Sequence, residues 1–237
     1  MAKANTVWKA HDHSAIEKLS DRVWRVEGGL PGIPMRRVMV IAKRADGGLV
    51  VHNGIALRDG EMAEIEAWGP VKQIVVPNGY HRLDSKVFHD RYPDAQVVAP
   101  AGARKKVQDV VPVNATFAEV APDANVELQY LDGLKEKEGV MIVKDNDGTT
   151  LVLTDALFNM PHGHGAPGFV LKNITGSSGG PKVSNLFKWF VISDKRAFRA
   201  HMERLADLPG LRRVIVSHHQ TIDTDVAATL RSAVASL

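Results

Sequence analysis

The sequence predicts an α/β fold of the α+β type, a four-layer αββα sandwich in which two mixed sheets pack face to face with helices outside. Three observations predict it. Apolar and alternating stretches joined by short turns, at residues 22–52 and 126–154, indicate antiparallel strands. Each group of strands is followed by a section that combines strand and helix patterns. No linker of different composition divides the 237 residues, so we expect a single domain over residues 1–237.

The first half begins with a polar lead-in, residues 1–20, that we expect to be loosely held. The Gly- and Pro-rich residues 28–34 predict a loop, and the turn residues 45–48 predict a hairpin. The apolar period then changes to that of helices, with Asp59 as the expected cap of the first one. Strands are predicted at residues 22–27, 37–42, 49–52, 72–77 and 96–99, and helices at 60–68, 85–92 and 102–110.

The second half starts with three strands, the last two joined by a turn at residues 145–148. A long Gly-, Pro- and His-rich loop follows at residues 157–181, and loops of that length are usually functional or mobile. We expect Asp194 to cap the longest helix. Strands are predicted at residues 126–131, 139–144, 150–154 and 213–217, and helices at 184–191, 194–208 and 224–237.

Composition narrows the class of protein. A chain that is 44% hydrophobic and 24% charged is typical of a soluble protein with a sizeable core. It has no apolar run long enough for a membrane span and no apolar signal core at its start, so we expect no membrane association. The absence of cysteine excludes thiolate chemistry and fits a cytoplasmic location. The net charge of +3 is scattered, so we expect no nucleic-acid partner, and the oligomeric state stays open.

Polar side chains follow three of the predicted strands at the point where each strand ends. Chemistry in α/β proteins tends to lie at such carboxyl ends of buried strands. A further pair of histidines lies in the long loop. The residues concerned are Asn78, Tyr80, His81 and Asp84 after the first strand, Asp155 after the second, His218 and His219 after the third, and His162 and His164 in the loop.

Histidine and aspartate side chains that converge from separate strands can hold a divalent metal such as zinc, manganese or iron. A bound metal lowers the pKa of a coordinated water and so produces a hydrolytic nucleophile. The alternative for each residue is structural: Asp155 can be a cap or turn former, and His162 and His164 can be ordinary loop residues.

In four blocks the chain resembles the metallo-β-lactamase-fold superfamily. Residues 48–54 resemble the family's apolar strand that ends in Asp-Thr-Gly, and residues 75–81 occupy the place of its Thr-His-x-His-x-Asp-His motif. Residues 153–158 resemble its Gly-Asp-x-Leu-Phe motif, whose aspartate bridges two metals. Residues 214–218 resemble its last motif, which ends in Pro-Gly-His. The resemblance implies the family's sandwich fold and a site at these strand ends.

The same blocks depart from the family's metal ligands. Asn78 and Tyr80 stand where the first two histidines are expected, and His81 matches a ligand only after a one-residue slip. No histidine lies near residues 132–134, where the middle motif belongs. Only Asp155 and His218 carry over residue by residue. The resemblance therefore implies that the usual dinuclear centre is mostly lost.

Three hypotheses follow for function. In the first, the protein is non-catalytic and binds a small ligand in the former cleft, lined by Asn78, Tyr80, Asp84, His162 and His164. In the second, it is a hydrolase of an ester, lactone or phosphoester that uses one divalent metal held by His81, Asp155 and His218, with His162, His164 or Asp84 as further candidate ligands. In the third, His81 and Asp155 form a metal-free catalytic pair of base and orienting group. The first hypothesis, of a non-catalytic protein, assumes that no cofactor is bound.

Overall fold

A computed structural model describes residues 4–162 and 165–237. The centre of the molecule consists of strands whose two faces are both buried. The larger sheet is mixed: its first four strands pair antiparallel, and the later ones pair parallel. Its seven strands follow one another in space as in the chain: β1 (Glu17–Lys18), β2 (Val23–Leu30), β3 (Ile33–Lys43), β4 (Leu49–His52), β5 (Val71–Val75), β6 (Gln96–Ala99) and β7 (Ala115–Thr116).

The second sheet has four strands, β8 (Val126–Tyr130), β9 (Gly139–Asp145), β10 (Gly148–Leu153) and β13 (Leu211–Val216), in the order β13-β10-β9-β8. Strands β10 and β13 run parallel, so both end at the same edge of the sheet. The two short strands β11 (Phe158–Met160) and β12 (Gly180–Lys182) pair beside that edge.

The helices lie outside the two sheets. They are α1 (Asp59–Trp68), α2 (Ser85–Arg91), α3 (Arg104–Gln108), α4 (Gly165–Phe169), α5 (Asn185–Phe190), α6 (Lys195–Ala206) and α7 (Val226–Val234). A π-helical turn, Val170–Ile174, continues α4, and short 3₁₀ turns lie at Ala101–Ala103 and Phe117–Glu119. The Asp194 carboxylate caps α6 by accepting from the Ala197 N–H at 2.9 Å, as predicted, whereas α1 begins after Arg58 without a side-chain cap. In the part of the chain that the structure describes, no helix combines the length and the apolar character that crossing a bilayer requires.

The alternation of side chains along each strand builds three apolar layers. In β3, Val38 and Val40 face the second sheet, whereas Met39 and Ile41 face the helices, because successive side chains point to opposite faces. In β10, Val152 faces the first sheet and its neighbours face outward. One apolar layer lies between the sheets, a second under α1 to α3, and a third under α5 to α7. The predicted four-layer αββα sandwich is thereby confirmed.

Three local expectations differ from the structure. Residues 28–34 are not a loop: β2 and β3 continue as a hairpin through most of this stretch and turn at residues 31–32. The described part of the lead-in is not loose, because the Asn5 N–H donates to the Leu83 carbonyl at 2.7 Å and the Trp8 Nε1–H to the Leu57 carbonyl at 2.9 Å. The long loop contains β11, α4 and β12.

Asp84 belongs to the core of the fold, contrary to the expectation that it lines the cleft. Its carboxylate is buried and forms an ion pair with Arg37 of β3, which is buried as well. The Asn5 amide donates to the other oxygen at 2.6 Å, and the Ala56 N–H donates at 3.2 Å. The pair thus ties the lead-in, β3, the segment after β4 and the start of α2 to one another.

We expect Asp84→Ala to reduce the free energy of unfolding by about 3–5 kcal/mol, because removing one partner leaves the other charge buried and unpaired. Urea denaturation of the two proteins measures the difference. The matched control is Asp90→Ala, which breaks the exposed ion pair that Asp90 forms with Lys86, one turn earlier on α2. That loss should be no more than about 0.5 kcal/mol. Equal losses in the two variants would contradict the assigned role of Asp84.

Candidate metal centre

The carboxyl ends of strands from both sheets meet at one edge of the sandwich. Asp155 follows β10 and His218 follows β13, and the parallel pairing of these strands brings both residues to the same edge. The Val38 N–H donates to the Ser217 carbonyl at 2.9 Å, which joins the two sheets beside His218. The segment after β5 approaches from the larger sheet and supplies His81.

Asn78 shapes the segment that carries His81. Its side-chain oxygen accepts from the N–H groups of Tyr80 at 2.8 Å and of His81 at 3.1 Å, which forms a tight turn after β5. Asn78 is itself buried. The turn directs the Tyr80 ring outward, where it is 62% exposed, and directs the His81 ring inward, toward Asp155.

Two imidazoles converge on one carboxylate oxygen. His81 Nε2 lies 3.1 Å and His218 Nε2 lies 3.3 Å from Asp155 Oδ1. All three atoms lie within 4.8 Å of one another, and no other set of three such ligands occurs in residues 4–162 and 165–237. Two atoms that share a tetrahedral ion at bond lengths of 2.0–2.1 Å lie roughly 3.3 Å apart. The two nitrogen–oxygen distances therefore suit a single metal ion.

The hydrogen bonds of the rings fix which nitrogen faces the carboxylate. His218 Nδ1 lies 3.0 Å from the Arg36 carbonyl, so it must donate a proton to that oxygen. His81 Nδ1 lies 3.1 Å from Asn53 Oδ1, whose orientation is set because the Asn53 amide donates to the Val38 carbonyl. In both neutral rings Nε2 then presents a lone pair to a carboxylate that is also an acceptor. Two extra protons or one shared cation satisfy this arrangement, so the donor set fits a metal.

The same bonds bear on the idea of a metal-free catalytic pair. A base oriented by an aspartate needs its second ring nitrogen free to face the substrate. His81 contacts Asp155 with Nε2 and Asn53 with Nδ1, so neither nitrogen is free in this arrangement. The geometry therefore speaks against His81 and Asp155 as base and orienting group.

The carboxyl groups of Asp155 and Glu138 lie on either side of the Asn78 amide, and their pKa values shift in opposite directions. The amide donates to Asp155 Oδ2 and to Glu138 Oε2, each at 2.9 Å. Burial opposes ionisation of Asp155, but the adjacent His81 and His218 outweigh it and hold the pKa of Asp155 well below its usual range. Burial, together with the charge of Asp155, raises the pKa of Glu138 well above its ordinary value. Glu138 is 2% exposed, and its second oxygen accepts from the Ala156 N–H at 2.8 Å.

Sequence reasoning missed Glu138 as a member of the site. It closes a run of four alternating charges, residues 135–138, that is typical of a solvated surface. Its burial follows from its position directly before β9, next to the end of β10. The one indication in the sequence is the apolar stretch that begins immediately after it.

A cavity of about 540 Å³ opens onto His81, Asp155 and His218, which are called the trio below. Tyr80, His81, Asp155 and His218 all line it. The Phe158 ring stacks on the His218 ring, with centroids 5.2 Å apart and planes at 5°. The remaining wall consists mostly of apolar side chains and a few hydroxyl groups, so the trio faces a largely apolar space.

Other residues expected in the cleft have different surroundings. His162 is exposed and lies 3.2 Å from the Ser178 hydroxyl, and it does not line this cavity. His164 lies outside the described residues. Asn78 does not line the 540 Å³ cavity but lies behind Asp155, in the wall of a smaller one.

Comparisons with solved structures find the same fold. A metallo-β-lactamase from Pontibacter korlensis matches with a TM-score of 0.60 at 14% identity, over 94% of this chain and 99% of that one. The DIM-1 metallo-β-lactamase exposed to ceftazidime matches with a TM-score of 0.64 at 11% identity, over 96% and 99%. One from Erythrobacter litoralis matches with a TM-score of 0.60 at 14% identity, over 94% and 96%. The chain therefore has the metallo-β-lactamase fold, as the sequence motifs predicted.

Sequence comparisons add nothing to this result. No family model matches the chain, and no curated protein matches it significantly. The similarity is thus one of architecture, and the chemistry has to be argued from the residues of the site.

His52, at the end of β4, is buried near the trio, and burial together with the neighbouring His81 lowers its pKa from 6.5 to about 3. Below pH 6.5 His52 takes up a proton in the unfolded chain but stays neutral in the folded one. The stability associated with neutral His52 is therefore complete above pH 6.5 and is lost as the pH falls toward 3, at about 1.4 kcal/mol per pH unit.

We expect metal-free wild-type protein to lose about 2 kcal/mol more stability between pH 7 and pH 5 than His52→Gln does, because glutamine does not titrate. Urea denaturation in the presence of a chelator at both pH values gives the two differences. Equal losses in the two proteins would show that His52 is not a buried neutral group.

Proposed function

We propose that this chain, which has the metallo-β-lactamase fold, is a hydrolase that holds one divalent metal ion through His81, Asp155 and His218. The observation that carries the proposal is the convergence of two imidazole Nε2 atoms on one carboxylate oxygen, at 3.1 and 3.3 Å. Zinc, manganese and iron all accept such nitrogen and oxygen donors. The substrate class is an ester, a lactone or a phosphoester.

Three protein ligands and a side open to a cavity are typical of catalytic rather than structural sites. When bound, a divalent ion supplies Lewis acidity and lowers the pKa of a water that it coordinates. The chain contributes the orientation of the donors: the Arg36 carbonyl holds His218, Asn53 holds His81, and Asn78 holds Asp155. Such outer contacts typically change metal affinity by about 10–100-fold.

The second candidate is a metal-free protein that binds a small ligand in the same cleft. The specific observation in its favour is the replacement of the usual dinuclear motif, since Asn78 forms a turn and Asp84 is neutralised by Arg37. In this version His81, Asp155 and His218 are hydrogen-bonding groups that line the cleft. Metal content separates the two candidates.

We expect protein that is purified without a metal-affinity tag, and then reloaded with Zn²⁺, Mn²⁺ or Fe²⁺, to retain about one equivalent of one of these metals. Asp155→Ala and His218→Ala should retain almost none, because two donors do not make a closed site. His162→Ala is the matched control and should retain the full amount, since His162 lies apart from the trio. Elemental analysis that finds less than about a tenth of an equivalent in the wild type would favour the metal-free candidate.

Turnover is the second test. We expect the metal-loaded protein to hydrolyse at least one of a panel of aryl esters, lactones and aryl phosphoesters. Chelation should remove the activity and the same metal should restore it. Asn78→Ala should weaken metal affinity by about 10–100-fold, because Asp155 loses the amide that orients it. A fully metallated protein with no activity on any of the three substrate classes would count against hydrolysis.

A further inference from the structure

A second cavity, of about 220 Å³, lies on the other side of Asp155. It shares five lining residues with the larger cavity: Tyr80, Asp155, Phe187, Phe190 and Val191. The two spaces therefore adjoin at the Asp155 carboxylate and at the side chains of Phe187, Phe190 and Val191. A ligand of two chemically different parts that occupies both cavities would lie beside the trio.

The larger cavity suits an apolar group. Its volume falls within the roughly 300–1,000 Å³ of small-molecule sites, and Met35, Phe158, Leu171 and Leu186 form much of its wall. Two of its lining residues, Leu186 and Phe190, are 44% and 75% exposed, so the apolar surface reaches the mouth of the cavity. Large apolar side chains that cluster at the mouth of a cavity indicate a site for an apolar ligand.

The smaller cavity suits an anion. Lys106 and Lys137 line it together with Gly79 and Gly102. The Lys106 ammonium lies 3.5 Å from the centre of the Tyr80 ring, and its stem packs over Gly79, where a Cβ would lie 2.7 Å from Lys106 Cδ. Neither lysine forms an ion pair with any carboxylate in the described part of the chain, in contrast to Lys18, Lys86 and Lys144.

The acids that border the smaller cavity already have partners. Glu138 accepts hydrogen bonds on both oxygens, from Asn78 and from the Ala156 N–H. Asp155 accepts a hydrogen bond from Asn78 on one oxygen, and its other oxygen faces the two imidazoles. Neither acid pairs with Lys106 or Lys137, so the two ammonium groups are available to an anion.

We propose that the two cavities bind an anionic amphiphile, with its acyl or other apolar group in the larger cavity and its anionic group beside Lys106 and Lys137. The cleavage step rests on the proposed function, whereas the binding does not. For an ester of this class, the oxygen of water adds to the acyl carbon and the bond from that carbon to the leaving oxygen breaks. The leaving oxygen takes a proton, which gives a carboxylic acid and an anionic alcohol or phenol.

The first test measures binding of ethers, which cannot be hydrolysed, to chelator-treated and to metal-loaded protein by isothermal titration calorimetry. The probes are para-decyloxybenzoate, the uncharged para-decyloxybenzamide, the short-chain para-butyloxybenzoate and para-decyloxyphenyl phosphate. We expect the decyl benzoate to bind at least about tenfold more tightly than the benzamide. It should also bind at least about tenfold more tightly than the butyl compound, since each fully buried methylene is worth about fourfold. The phosphate probe shows whether the anion site prefers carboxylate or phosphate.

The variants identify what recognises the anion. In the double variant Lys106→Met with Lys137→Met, the preference for benzoate over benzamide should fall below about threefold. Lys105→Met is the matched control: Lys105 is the exposed neighbour of Lys106 on α3, lines neither cavity and should leave the preference intact. Equal binding of benzoate and benzamide overturns the proposal. A preference that survives in the double variant also overturns it, because the anion then binds elsewhere, for example at the trio.

The second test compares hydrolysis of para-carboxyphenyl decanoate with that of para-carbamoylphenyl decanoate. We expect kcat/KM to favour the anionic ester by at least about tenfold. Lysine-dependent binding without hydrolysis would leave this inference standing and contradict the proposed hydrolase. Hydrolysis with no preference for the anionic ester would support the hydrolase and contradict this inference.

Discussion

The amide of Asn78 is the group on which the rest of the site depends. Its oxygen accepts two backbone N–H groups and so sets the turn after β5, while its nitrogen donates to Asp155 and Glu138 from the other sheet. An aspartate could form the same turn, but it has no donor for the two carboxyl groups and would place a third acid beside them. A histidine here could not accept two backbone bonds and donate two more. Asn78, which stands in place of a histidine of the usual metal motif, thus has a positioning role of its own.

The layers of the fold could be predicted because the alternation of side chains along each strand indicates which side chains face each apolar layer. Strand β3 alternates between the two apolar layers along its length, and the same period of two appears in every strand that both layers cover. The hairpin of β2 and β3 could not be predicted, because Gly28, Gly29 and Pro34 have low strand propensity on their own. Their backbone follows the pairing that begins at residues 23–27, and this cooperative pairing outweighs local preference.

The proximity of Asp155 and His218 could be predicted for a topological reason, and the residues around them could not. Asp155 and His218 end neighbouring parallel strands, so their proximity follows from the order of strands. Glu138 and Arg37 are charged residues in charged stretches, and nothing local distinguishes them from surface residues. Their burial depends on partners far along the chain: Arg37 pairs with Asp84, and Glu138 meets Asn78. Only the assembled sandwich reveals such pairs.

The charge of the trio connects the site to its surroundings. With neutral rings, His81, Asp155 and His218 carry a formal charge of −1 from the carboxylate, and two lone pairs repel it. Two added protons or one divalent cation each bring the total to −1 + 2 = +1. With the proposed ion bound, the positive centre lies beside a largely apolar cavity and a cavity lined by two lysines. Because apolar walls weaken charge interactions less than water does, an anion beside the trio then meets positive charge on both sides. The proposed ion and the two lysines thus favour an anionic ligand, and the apolar wall favours one that has an apolar part.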